Sequence, residues 1–219
     1  MLEEIPEKII VEEPEEKQSW YQGPLKVILG LFLLLLVVLW IVPHYGLKQN
    51  PEPNYTPTLA ELNIPEMQIP EIDSPDIRNY LQTTSEIKQL ADKVVTLSCP
   101  QTHKVCNAKA LFYFVQKNFN YVNDPLHHEY YKTPQETLTS AASDCDDFSV
   151  LTASLLRSVG FPTRFVRVPG HIYLQVRIPE AVSSYKTEQA WINLDPTCTS
   201  CQFGEIHYQY TDSNKQFVE

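Results

Sequence analysis

Three residues of this sequence carry side chains suited to acyl transfer: Cys145, His171 and Asp195. A thiolate can attack a carbonyl carbon, an imidazole can move the proton, and a carboxylate can fix the imidazole tautomer. Cys145 lies in Ser143-Asp144-Cys145-Asp146-Asp147-Phe148-Ser149, where the aspartates should discourage a thiolate. It also opens the apolar run VLTASLLRSVG. A helix starting there presents unpaired N–H groups and the positive end of its dipole, which lowers a thiol's pKa. The acidic neighbours then read as helix-start chemistry, with Asp144 as the cap and Asp146 and Asp147 in the first turn. Taken singly, each feature has a plainer explanation: a cysteine packed as a small hydrophobe, a solvated histidine, an Asp-Pro turn.

The surrounding pattern supplies elements that bring the three together. From Asp76 onward, Ile77, Leu81, Ile87, Leu90, Val94 and Leu97 recur at helical spacing and Pro100 ends the run. Asn107 is the expected cap of a second helix, AKALFYFVQKNF. Thr133-Pro134-Gln135-Glu136 is a capping box, with a short helix running to about residue 141. Phe148, Leu151, Leu155, Leu156 and Val159 make one helical face, closed by Gly160-Phe161-Pro162. The period then changes to two. TRFVRV (163–168) and HIYLQVRI (171–178) read as strands joined by Pro169-Gly170, with AWINLD (190–195) as a third and IHYQYT (206–211) as a fourth. Helices followed by antiparallel strands predict an α+β domain. If the second and third strands pair, His171 at the start of one faces Asp195 at the end of the other.

Ahead of this domain, residues 25–42 read LKVILGLFLLLLVVLWIV, long enough for one transmembrane helix over 24–43 and flanked by Trp20, Tyr21, Trp40 and Tyr45. Residues 1–23 are Glu-rich and without apolar periodicity, an acidic disordered tail. Just after Pro43, residues 44–76 carry Pro51, Pro53, Pro57, Pro65, Pro70 and Pro75 and read as a semi-stiff stalk. Asn54-Tyr55-Thr56 has the form of a glycosylation sequon, weakened by Pro57. The domain proper is then 77–219. Lys17 and Lys26 against Lys48 favour an inside N-terminus and an extracytoplasmic C-terminal domain. A formal net charge of −10 argues against a nucleic-acid partner.

The segments FNYVNDP, TPQETL, SDCDDFSVLTASLLRSVGFPTRFVRV, GHIYLQV and AWINLDPT, in that order, resemble the transglutaminase-like superfamily of papain-type thiol enzymes. Ser143 stands where that family often has glycine. The resemblance implies a papain-like core of helices packed on an antiparallel sheet. It implies Cys145 as nucleophile, His171 as base and Asp195 as orienting acid, with no cofactor and a peptide or protein amide as substrate. The chain's length points to the small microbial branch, which includes proteases and other amide hydrolases. The thioester would pass to water or to an amine, and nothing in the sequence chooses between them. Tyr130, Tyr131 and Gln135 are candidates for a second oxyanion donor beside the Cys145 N–H. The alternative is a non-catalytic binding or scaffold module at the cell surface, and a spacer domain on a functional stalk is a third reading; relatives of the non-catalytic kind usually lose a triad residue.

Four further cysteines remain: Cys99, Cys106, Cys198 and Cys201. Outside the cytoplasm they read as disulfides, with local pairing 99–106 and 198–201 preferred among three connectivities. A four-thiolate zinc site is the competing expectation, disfavoured by the wide Cys-x6-Cys spacing.

Overall fold

The computed structural model describes residues 23–64, 67–124 and 130–219. The chain divides into two units, Met1–Gly46 and Leu47–Glu219. In the first, α1 (Pro24–Gln49, running into the second unit) is an unbroken helix. Its stretch Pro24–Val42 has a mean hydropathy of 3.0 and no buried residue, so it is long and apolar enough to cross a membrane. The acidic tail expected before it lies outside the described residues apart from Gly23.

The segment expected to be a semi-stiff stalk belongs, from Leu47 on, to the second unit, and its described residues pack into it. Proline-rich backbone makes few bonds to itself, so its carbonyls are open to side chains. Asn118 donates to the Pro57 carbonyl and its Oδ1 accepts from Leu59 N–H; Lys93 donates to the Leu62 carbonyl and Tyr80 to that of Ile72. Leu62, at the end of α2 (Leu59–Leu62), is buried in the core, and Leu59, Ile64, Met67 and Ile72 pack against it. Lys109 is fully buried, and its ammonium is held by Asn50, Glu52 and the Tyr185 hydroxyl. A buried ammonium needs such acceptors, and two of the three come from the segment just after α1.

The helical run beginning at Ile77 is split. A 3-10 turn covers Ile77–Tyr80, and α3 (Ser85–Ser98) starts afresh because Thr84 caps it by accepting from Ile87 N–H. Its buried face is Ile87, Leu90, Ala91 and Val94. The next helix, α4 (Lys104–Asn118), starts three residues before the expected Asn107 cap. Cys106 is tied to Cys99 by a disulfide, and Val105 and Cys106 are already buried, which pulls the first turn into the core. After β1 (Asn120–Tyr121) comes α5 (Pro134–Ser140), capped by Thr133 as the sequence predicts. β2 (Ala142–Ser143) pairs in parallel with β1, setting Tyr121 opposite Ser143.

The central helix α6 (Cys145–Ser158) is buried along nearly its whole length. It packs on a sheet of β3 (Thr163–Val168), β4 (His171–Arg177), β5 (Trp191–Leu194) and β6 (Gln216–Val218), in the order β5-β4-β3-β6, antiparallel throughout. Gly170 closes the β3–β4 turn at φ +74°, a conformation side chains resist. Alternation along β4 sends Ile172, Leu174 and Val176 into the main core and His171, Tyr173 and Gln175 to the other face. The strand expected at 206–211 is not formed. That segment contains a 3-10 turn, Tyr208–Tyr210, and Ile206 and Tyr210 pack against Val166, Val168 and Tyr173 on the outer face of the sheet. The fourth strand is β6, further along the chain.

Candidate active site

Antiparallel pairing of β4 with β5 matches Leu174 to Leu194 and brings the start of one strand to the end of the other. His171 and Asp195 meet there: His171 Nε2 lies 3.0 Å from Asp195 Oδ2. Asp195 is fully buried, and its other oxygen accepts from the Thr197 hydroxyl at 2.6 Å and the Thr197 N–H at 3.3 Å. Burial pushes the Asp195 carboxyl up, but the bonds from His171 and Thr197 outweigh it and leave it below its ordinary value.

Cys145 is the first residue of α6, partly buried, and the chain's free cysteine. Ile172, next in sequence to His171, lies at the start of β4 beside this helix end. Ser149, one turn along α6, donates to the Cys145 carbonyl at 2.7 Å and reaches the Ile172 carbonyl at 3.4 Å. The helix tip is thus fastened to the start of β4. The expected lowering of the thiol is not found. Burial pushes Cys145 up to about 12, with Asp146 and Asp144 adding to it and the Ile172 and Cys145 N–H groups opposing it. Loss of hydration outweighs the helix end.

The acidic box divides by environment. Asp147 is fully buried, accepts from Lys132 N–H at 2.6 Å and pairs with the Lys132 ammonium at 2.8 Å. Burial works against that ammonium, but the pair leaves it above its ordinary value. Asp146 is pushed up to about 9, by burial first and then by a hydrogen bond to Asp144 and the charges beside it. The same causes favour the protonated form of Asp146 at neutral pH. Asp144 occupies the cap position of α6 but makes no capping bond, contrary to expectation, and its buried Oδ1 has no partner among the described residues. These three carboxylates each bring an oxygen within 4.8 Å of the others and are the group among the described residues that could hold a metal ion.

Of the proposed oxyanion donors, Tyr130 gives its hydroxyl to Glu136 at 2.9 Å and the Tyr131 hydroxyl receives a bond from Arg167 at 3.2 Å. Gln135 is buried, and its Oε1 has no partner. Cys99–Cys106 and Cys198–Cys201 are both disulfides, which consumes the thiolates that the zinc alternative required. The second pair follows Asp195 directly; Gln116 donates to the carbonyls of Cys198 and Cys201, and Cys198 N–H to that of Asp195.

Two aromatic residues at the site had no signal in the sequence. Tyr210 stacks on the imidazole of His171, with ring centroids 4.5 Å apart and planes 16° apart. Tyr121, held opposite Ser143 and packed on Phe148, is pushed up by burial and then by the charges of Cys145 and Asp144. Periodicity assigned Tyr210 to a strand, and the two-residue pairing that places Tyr121 is too short to leave a pattern.

Residues 88–196, a span that includes Cys145, His171 and Asp195, match the transglutaminase-like superfamily. The chain carries a transglutaminase-like domain. Among solved structures, the transglutaminase-like domain is similar to calcium-bound LapG of Legionella pneumophila, at 19% identity over 64% of this chain and 79% of that one, TM-score 0.43. A Cytophaga hutchinsonii protein provisionally named a cysteine protease matches at 20% identity over 57% of this chain, TM-score 0.40, and the match spans 43% of that protein. The periplasmic domain of TgpA from Pseudomonas aeruginosa, bound to ethylmercury, matches at 19% identity over 57% of this chain and 50% of its own, TM-score 0.38. No curated protein sequence matches the chain.

Proposed function

We propose that the protein is a membrane-anchored, cysteine-dependent amide hydrolase or acyltransferase acting on extracytoplasmic peptide or protein amides. Cys145 is the nucleophile, His171 the base and Asp195 the residue that orients it. The observation that carries this reading is the 3.0 Å His171–Asp195 bond beside the helix tip that bears Cys145, which Ser149 ties to Ile172.

The bond pattern supports these roles. With Nε2–H donated to Asp195, the imidazole keeps Nδ1 as the nitrogen that accepts a proton. A thiol pushed up to about 12 rests protonated. The S–H proton therefore passes to Nδ1 as sulfur attacks, in general-base fashion. The S–C bond forms, and His171 returns the proton to the leaving amine as the C–N bond breaks. Water or an incoming amine then cleaves the thioester, giving an acid or a new amide. The Cys145 N–H is one oxyanion donor; the Tyr130 hydroxyl is given to Glu136, while the Tyr131 hydroxyl, whose oxygen accepts from Arg167, and the Gln135 amide N–H remain candidates for the second.

The test is labelling of the full chain in detergent by a peptidyl chloromethyl ketone. Cys145→Ala should abolish it, and His171→Ala should slow it by about 10²-fold or more, while labelling in denaturant stays equal. Equal rates for folded His171→Ala and wild type would instead favour the non-catalytic binding module.

A further inference from the structure

Away from the thiol, a cavity of about 380 Å³ opens between residues 69–73 and the loop 130–136. Its volume is within the range of small-ligand pockets, roughly 300–1,000 Å³. Three tyrosines, Tyr80, Tyr130 and Tyr131, and three carboxylates, Glu71, Asp73 and Glu136, line it. The aromatic wall is fixed. Tyr80 and Tyr131 meet edge to face at 5.5 Å, the Tyr80 hydroxyl is held by Ile72 and Ser74, and Tyr130 is tied to Glu136. Nearby cations are committed elsewhere: Arg78 to Asp76, Lys132 to Asp147, and Arg167 to the Tyr131 hydroxyl. No ion pair among the described residues uses Glu71 or Asp73. Aromatic faces attract cations and sheathe their aliphatic stems, and carboxylates accept hydrogen bonds from ammonium or guanidinium groups.

We propose that this cavity is a binding site for a lysine or arginine side chain of a peptide. The wall of the cavity is continuous with the site described above. Lys132, between Tyr131 and Thr133, bonds Asp147 in the first turn of α6 and reaches the Ser143 hydroxyl at 3.4 Å. The basic residue would then be read on the same peptide whose amide reaches Cys145. That connection rests on the proposed activity; the preference of the cavity for a cation does not.

The experiment uses full-length Cys145→Ala in detergent micelles, with binding measured by NMR titration. The probes are the acetyl methylamides of lysine, arginine and norleucine, and choline. The lysine and arginine probes should saturate. Norleucine, which has the stem without the charge, and choline, which has the charge without a hydrogen-bond donor on it, should bind at least about tenfold more weakly. Glu71→Gln/Asp73→Asn, both at exposed positions, should weaken the lysine probe by about tenfold or more while leaving the near-ultraviolet spectrum unchanged. Equal binding of norleucine, equal binding of choline, or an unaffected double variant would each overturn the proposal. Cation-selective binding together with thiol labelling that is indifferent to His171 would keep the cavity assignment and remove the enzymatic one. Labelling that requires His171, with no saturable lysine binding, would do the reverse.

Discussion

Asp146→Asn should make the protein more stable at neutral pH, against the usual expectation for a change at a buried polar position. The Asp146 carboxyl is pushed up to about 9 in the fold, and an unfolded aspartate titrates near 3.9. Between those values the folded chain holds a proton that the unfolded chain has released. Stability therefore falls as pH rises through this window, by about 1.4 kcal/mol per pH unit for one proton. At pH 7 the accumulated cost is on the order of 4 kcal/mol, from roughly three units above the unfolded pKa. Asparagine removes this cost and keeps the useful contacts: its Oδ1 can still accept from Asp147 N–H, at 2.7 Å in the native chain, and its amide can donate to Asp144. Urea unfolding in micelles at pH 5, 6, 7 and 8, followed by the near-ultraviolet signal, measures both parts. The variant should gain a few kcal/mol at pH 7 and lose one proton's worth of slope, with the gap shrinking toward pH 4. A variant less stable than wild type at pH 7 with an unchanged slope would refute a protonated Asp146 in the fold.

The opposite sign is expected at Asp195, whose carboxyl sits below its ordinary value. Its contribution is present above about pH 4 and lost as pH falls through the folded value, so Asp195→Asn should flatten the acid limb of the same urea series and lower the rate of amide turnover by about 10²–10⁴-fold. Lys109→Met should cost about 1–3 kcal/mol, because Asn50, Glu52 and Tyr185 lose their shared donor; faster limited proteolysis within residues 47–57, with the disulfides intact, reads this out. Replacing Cys99 and Cys106 by serine should cost about 2–3 kcal/mol for a loop this short, since the pair spans a separation of only 7 residues, and thermal unfolding under oxidising conditions checks it.

Much of the site was legible because its parts lie on strongly patterned elements. The apolar face from Phe148 to Leu156 declares α6, and the period-two runs declare β3, β4 and β5, so the meeting of His171 and Asp195 follows from one pairing rule. Three things were hidden, each for a physical reason. Local composition made residues 44–76 look like a stalk, yet their carbonyls are met by Asn118, Lys93 and Tyr80 from distant elements. The alternation in IHYQYT imitates a strand, but Tyr210 is used against the imidazole and the sheet edge is filled by Gln216–Val218. The helix dipole suggested a lowered thiol, whereas burial, which the sequence alone does not give, raises it.

The packing of Tyr210 on His171 also bears on how often solvent reaches the base. Tyr210 belongs to neither the helices nor the main core; its segment is secured by the small cluster of Val166, Val168 and Tyr173 and, beyond it, by a three-residue edge strand. Short edge pairings open locally far more often than a domain unfolds as a whole. The imidazole is thus roofed by a part of the molecule with a low opening energy of its own, while Asp195 beneath it is anchored at the end of a buried strand. Amide exchange at residues 207–218 should be correspondingly faster than in β4, which would make the histidine's shelter a matter of frequency rather than of fixed geometry.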